Sequence, residues 1–159
     1  RARGVGHMLP APAIVSDVDL GRRLRNEPSV ARTLAVAPRS DVLVFSPGVL
    51  AEESVLVRSG FLTERGMERL RAMGAVTDIF SRFLDMSGEP VSQELEERTI
   101  AIPLDAVRQA KRSVAVASSL VKAVPMLVAM RSRLATAAVV DEELAKEILL
   151  LGRLGAEGH

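Results

Sequence analysis

The chain has no cysteine, no tryptophan and no tyrosine, and its 159 residues include only four phenylalanines and two histidines. Without cysteine there is no disulfide framework, no thiolate metal site and no thiol nucleophile, and the default compartment is the cytoplasm. Without tryptophan or tyrosine the stacking platforms that grip single-stranded bases are largely missing, as is the aromatic floor of a sugar-stacking lectin site. An excess charge of one sign is also lacking. Lys and Arg total 21 against 20 Asp and Glu, a net charge of +1, so there is no general basic field for duplex phosphates, and any DNA-facing part is expected elsewhere. The most apolar stretch, residues 114–130, is interrupted by Lys122 and Pro125 and falls short of a membrane span. No signal-peptide pattern opens the chain. The two histidines, His7 and His159, sit close to the two ends, which argues against a His-dependent active site. Walker, GxGxxG, HExxH and GxSxG motifs are all missing, and no carboxylate spacing supports a metal, so neither cofactor nor metal is expected.

What is present is a globular composition, 48% hydrophobic and 26% charged, of a length suited to one domain that buries well over half of its unfolded surface. The opening Arg1-Ala2-Arg3-Gly4-Val5-Gly6 reads as the tail of something earlier, so a truncated or processed chain is expected. No repeat, low-complexity tract or linker divides it, and residues 1–159 are taken as one domain.

Apolar runs of strand length alternate with amphipathic runs of helix length, the pattern of α/β layers around a mainly parallel sheet. Strands are expected at 13–15, at 41–45 ending in Ser46-Pro47-Gly48, at 98–102 ending at Pro103, at 113–117, and at 136–140 ending at Asp141. Their continuous apolar character implies cover on both faces. Helices are expected from the Ser16-Asp17 cap to about residue 26, from Pro28 to 37, from the Thr63 cap through 73 with Gly74 as terminator, over 104–110, over 120–130, and over 141–151 with Asp141-Glu142-Glu143 on its positive end.

Polar residues just after strand-like runs are the candidates for chemistry, because ligands of open α/β sheets bind outside the strands' carboxyl ends. Gly48 either lets backbone amides approach a ligand or simply ends a strand. Asp78, in Gly74-Ala75-Val76-Thr77-Asp78-Ile79, is either a cap or an acceptor for ligand hydroxyls, with Arg82 four residues on. Ser118 and Ser119 with Lys122 either hold a phosphate or other anion at a helix start, or cap the helix beside a solvated lysine. Arg58, after Val55-Leu56-Val57, is an anion fork or a surface charge. Asp141-Glu142 is explained by helix-start electrostatics.

The ordered blocks Leu9-Pro10-Ala11-Pro12-Ala13-Ile14-Val15, Glu27-Pro28-Ser29-Val30, Asp41-Val42-Leu43-Val44 with Gly48, Ser59-Gly60-Phe61-Leu62, Gly74 to Ile79, Arg82-Phe83-Leu84-Asp85, Ile100-Ala101-Ile102-Pro103-Leu104, Ala117 to Lys122 and Val140-Asp141-Glu142 resemble the sugar-binding domain of SorC/DeoR-type regulators across nearly the whole chain. The resemblance implies a three-layer Rossmann-like domain similar to glucosamine-phosphate deaminase, ribose-phosphate isomerase and the CoA-transferase-like proteins. It implies the later part of the domain, with an opening strand and a Gly/Thr-rich phosphate loop before residue 1. It further implies an effector-sensing and oligomerisation role in a bacterial transcriptional regulator, as dimer or tetramer, with a separate N-terminal helix-turn-helix on DNA. By this resemblance Asp78 binds sugar hydroxyls and Lys122 lies near the ligand's phosphate or hydroxyls. The chain departs from the family at three places: Ser46-Pro47-Gly48 replaces Gly-Ile-Gly, Thr77 replaces a glycine before the Asp, and Ser118-Ser119 replace Gly-Gly. Each loss puts a side chain where backbone would approach the ligand. The rival readings are an isomerase or deaminase of the same fold using Asp78 and Glu142 for proton transfer, and a structural module that binds nothing.

Overall fold

The computed structural model describes residues 4–51 and 55–154, so Arg1 to Arg3 and His159 lie outside the described residues. Its sheet is built from three parallel strands: β1 (Leu43–Phe45), β4 (Ser113–Ala117) and β5 (Ala137–Val140), in the order β1-β4-β5. In the register, Val44 stands beside Val114 and Phe45 beside Ala115, while Val116 pairs with Val139 and Ala117 with Val140. β2 (Thr77–Ile79) and β3 (Arg82–Leu84) form a separate antiparallel hairpin.

Alternation along β4 decides which face is covered. Ser113 and Ala115 are buried against α7 (Ala123–Arg131) and α8 (Glu142–Leu154), where Met126, Ala129, Leu144 and Ile148 close the main core. Each large apolar side chain removed from water there contributes on the order of 2 kcal/mol. The opposite face of the sheet carries Val44, Val116 and Val139, all exposed. The expectation of cover on both faces therefore holds for one face among the described residues.

The helices begin where the capping residues placed them. Asp17 accepts the Leu20 amide at the start of α1 (Val18–Asn26), and Pro28 opens α2 (Pro28–Leu34). α3 (Val55–Arg58) is a short helix. Thr63 accepts the Gly66 amide to start α4 (Glu64–Ala72), whose Met67 and Leu70 are buried, and Gly74 follows at φ 94°. α5 (Gln93–Arg98) is capped by Ser92, and α6 (Leu104–Arg108) follows Pro103. The 104–110 and 120–130 helices are each modified. α6 ends at Arg108, and residues 120–122 form a tight 3₁₀ turn before α7 begins at Ala123.

Two expected strands are not part of the sheet. Residues 13–15 and 98–102 pair only with each other, through an antiparallel bridge between Ile14 and Thr99 and the bonds Val15 N–H to Arg98 and Ile100 N–H to Ala13. Their apolar side chains, Val15 and Ile100, join Val30 in a satellite core under α1 and α2. The mainly parallel α/β class is as expected, with three sheet strands in place of five.

Candidate functional site

The three parallel strands end together, and an open cleft of about 720 Å³ runs over their carboxyl ends, lined by Phe45, Ser46, Ser118, Lys122, Val140 and Asp141 among others. Two loops shape it. The first is Ser46-Pro47-Gly48 after β1. Gly48 and Asp78 exchange backbone hydrogen bonds as an isolated bridge, and Thr77 Oγ1 donates to the Gly48 carbonyl at 2.9 Å. A Cβ on Gly48 would lie 2.7 Å from Asp78 Oδ2, so the loop's approach to Asp78 requires glycine. Thr77 is fully buried and uses its hydroxyl to fasten this loop.

Asp78 has a buried carboxylate whose Oδ1 has no hydrogen-bond partner. Burial pushes its carboxyl up to about 6, against the opposing pull of a hydrogen bond from the Ser81 amide and of the Lys122 cation. A buried, under-satisfied acceptor is costly unless something donates to it. Lys122 Nζ donates to the Pro47 carbonyl at 2.5 Å, so the same ammonium ties the first loop to the second and is the positive charge closest in effect to Asp78. Residues distant in sequence, Gly48, Asp78 and Lys122, are thereby brought to one place.

The second loop, Ser118-Ser119, follows β4. Ser119 has φ 83° and ψ 134°, a backbone region that glycine occupies readily and other residues at a cost. The Ser119 N–H donates to Asp141 Oδ2 at 3.2 Å, while Asp141 Oδ1 caps α8 by accepting the Leu144 amide at 2.8 Å. These two bonds hold the Asp141 carboxyl below the usual carboxylate range. Asp141 was expected as a helix start alone; it also pins the rim of the cleft. Its position after a strand run was the signal available for that second role. Phe80 is a further neighbour that sequence reasoning did not single out, with its ring 5.0 Å from that of Phe45 on the cleft wall.

Of the seven candidates, Ser118 and Lys122 line the cleft itself; Gly48, Asp78 and Ser119 lie in or against the loops that shape it, and Arg82 and Arg58 do not join them. Arg82 is 4% exposed. It pairs with Ile79 across the hairpin, on the face opposite Asp78. Its Nε meets both Glu96 carboxylate oxygens at 2.7 Å and its Nη1 donates to the Ile102 carbonyl at 2.7 Å. The period-2 alternation of a strand is the reason: Asp78 and Arg82, four apart, would share a helix face but fall on opposite faces of this hairpin. Arg58 is exposed at the end of α3 and does not line the cleft. A separate cavity of about 310 Å³ lies between α4 and α5. It is mainly apolar, and the guanidinium of its Arg98 is committed to the Val15 carbonyl and to Glu94. Among the described residues there is no group of three His, Cys, Asp or Glu placed to hold a metal, and no helix is long and apolar enough to cross a membrane.

Comparison with known proteins places the chain in a family. A family model described as a sugar-binding domain matches residues 1–150. The chain is 31% identical over 147 residues to the transcriptional regulator LsrR of Enterobacter sp. strain 638, covering 91% of the chain and 46% of that protein. It is 27% identical over 141 residues to the deoxyribonucleoside regulator of Bacillus subtilis strain 168, covering 89% and 45%. Among solved structures, the sugar-binding domain of a transcriptional repressor from Vibrio fischeri superposes with a TM-score of 0.81 at 26% identity, over 91% of this chain and 58% of that one. The chain thus spans about half the length of the curated relatives it matches. Those relatives are regulators, and nothing in the comparisons supports the isomerase or deaminase alternative. The chain belongs to the sugar-binding domain family of SorC/DeoR-type transcriptional regulators.

Proposed function

We propose that the strand-end cleft binds a sugar or sugar phosphate as an effector, and that occupancy shifts the arrangement of subunits that a separate DNA-binding part reads. Asp78 accepts from ligand hydroxyls. Lys122 supplies the positive charge for a phosphate or a hydroxyl oxygen, Ser118 and Ser119 offer hydroxyls at the rim, and Gly48 provides the close backbone approach. Sensing requires differential binding and no turnover, so the reading is of a binding domain and not an enzyme, working in the cytoplasm as part of a dimer or tetramer. The three-layer relation to glucosamine-phosphate deaminase and ribose-phosphate isomerase belongs to the same reading.

The observation that carries it is the meeting of a buried, unpartnered carboxylate oxygen at Asp78 with the Lys122 ammonium beside the Ser46-Pro47-Gly48 loop. A polyhydroxylated ligand supplies the donor that Asp78 Oδ1 lacks and the acceptor for Lys122. Calorimetric titration of the complete regulator with phosphorylated and unphosphorylated sugars tests it. The Lys122→Ala variant is expected to bind the responding sugar more than tenfold more weakly, about 1.4 kcal/mol. Unchanged affinity removes Lys122 from the site, and turnover of a sugar phosphate restores the enzyme reading.

A further inference from the structure

The cavity of about 310 Å³ between α4 and α5 shares no lining residue with the strand-end cleft. One face of α4 is turned to it: Leu62 just ahead of the helix, then Arg69, Leu70 and Met73 at helical spacing. Ile14 and Leu70, both buried, are its deepest residues, and Leu95 of α5 stands opposite. The charged groups that line it are Arg69, Arg98 and Glu94. Glu94 is taken by Arg98 Nη1 at 3.1 Å, and Arg98 Nε donates to the Val15 carbonyl at 2.8 Å, so that guanidinium is fixed in place with its Nη2 still unengaged. Arg69 differs from its neighbour Arg71, which is used on the Leu50 carbonyl at 2.6 Å. Arg69 is exposed, and among the described residues its guanidinium has no hydrogen bond and no ion pair. One positive charge is therefore left over at the mouth of an apolar hole.

We propose that this cavity is a second binding site, for a small monocarboxylate with an apolar body, held with its carboxylate at Arg69 and its hydrocarbon against Leu62, Leu70 and Leu95. Concave, mostly apolar spaces of this size with a few polar groups at one end are the usual form of a small-molecule site. The chemistry of the lining selects the class. Ser92 already caps α5 by accepting the Leu95 amide at 3.3 Å, so a ring of sugar hydroxyls would be buried here without a matching set of partners, at a cost that an apolar body avoids. A guanidinium matches the planar fork of a carboxylate, and one surplus cation beside the Arg98–Glu94 pair balances a single negative charge. At the roughly 30 Å³ that a water occupies in the liquid, the space takes about ten non-hydrogen atoms, the size of a medium-chain or phenyl-substituted carboxylic acid.

Calorimetric titration of the complete regulator with octanoate and with phenylpropionate reads this site in the absence of any sugar, so its failure would leave the effector-binding reading standing. At least one of the two is expected to bind saturably, one per chain, with Kd below about 1 mM. Octanol, with the same chain and no charge, should bind roughly fivefold more weakly or worse. Arg69→Glu removes a side chain that holds nothing else, and it should weaken the carboxylate by roughly tenfold or more. Leu62→Trp, which fills the cavity, should abolish binding, whereas Lys122→Ala in the strand-end cleft should leave it unchanged. The proposal is overturned if neither carboxylate saturates below that concentration, if octanol binds as well as octanoate, or if Arg69→Glu with a native circular dichroism spectrum keeps full affinity. Binding lost in Lys122→Ala and kept in Arg69→Glu also overturns it, because the anion would then sit in the cleft.

Discussion

Gly48 and Asp78 face each other so closely that the hydrogen of the glycine is the only substituent the space admits: an added Cβ would sit 2.7 Å from Asp78 Oδ2 and 3.0 Å from the Asp78 carbonyl oxygen. Gly48→Ala must push the first loop away from the hairpin and disturb the hydrogen bond that Thr77 makes to the Gly48 carbonyl. Overpacking of this kind costs about 1–3 kcal/mol. Urea denaturation should show a loss in that range, and effector affinity should fall with it, because the loop carries the Pro47 carbonyl that positions Lys122.

Asp78 makes stability depend on pH with an unusual sign. Its carboxyl is raised by burial from 3.8 to about 6, so between those values the folded chain holds a proton that the unfolded chain has lost. Stability therefore falls as pH rises from about 4 to about 6, by an amount on the order of 3 kcal/mol if the group acted alone. Asp78→Asn, uncharged and of the same shape, should flatten that part of the stability profile and raise the melting temperature at pH 7 while weakening sugar binding. Stability lost at the site of a buried functional charge is a common trade. A profile of unchanged slope in Asp78→Asn would remove Asp78 as its source.

Ser119→Gly should stabilise the protein. At φ 83° and ψ 134° a serine is strained by about 1–3 kcal/mol, and glycine relieves this while giving back part of it through greater freedom in the unfolded chain. A net gain of about 1 kcal/mol in thermal or urea unfolding is expected. The Ser119 amide that bonds Asp141 is backbone, so that contact survives the exchange. A loss of stability would show instead that the Ser119 hydroxyl holds the loop.

Arg82 is expected to act on stability and not on ligand affinity. Arg82→Met leaves the Glu96 carboxylate, 27% exposed, without its partner and frees the Ile102 carbonyl. Removing one member of such a pair costs about 3 kcal/mol. Melting temperature should drop by several degrees, with affinity for the responding sugar unchanged in the fraction that folds. Native stability with weakened binding would return Arg82 to the site.

Capping chemistry was the most legible part of the chain. Asp17, Thr63 and Pro28 start helices because side-chain acceptors and a fixed φ are local properties. The β2–β3 hairpin was not legible, and its turn shows why. Phe80 and Ser81 both take positive φ, 52° and 62°, the pattern of a type I′ turn, yet the Asn-Gly or Asp-Gly pair that announces such a turn is missing. The Phe80 conformation is held by tertiary contact, its ring lying against that of Phe45. The misplacement of Arg82 follows from the same hairpin, since without it the four-residue spacing from Asp78 gives no hint of opposite faces.

The amino-acid sequence by itself determined the class of the fold, the strand-end location of Gly48, Ser118, Ser119 and Lys122, and the family, because hydrophobic period, caps and motif order are all written in neighbouring residues. Tertiary structure alone decided that residues 13–15 and 98–102 pair with each other outside the sheet, that Lys122 reaches Pro47 and the vicinity of Asp78, and that Asp141 joins the Ser119 rim to α8. The physical reason is distance along the chain. A cap or an alternation is settled by side chains a few residues apart, whereas a contact between positions 47 and 122 exists only after strand order and register have brought two remote loops to the same edge of the sheet.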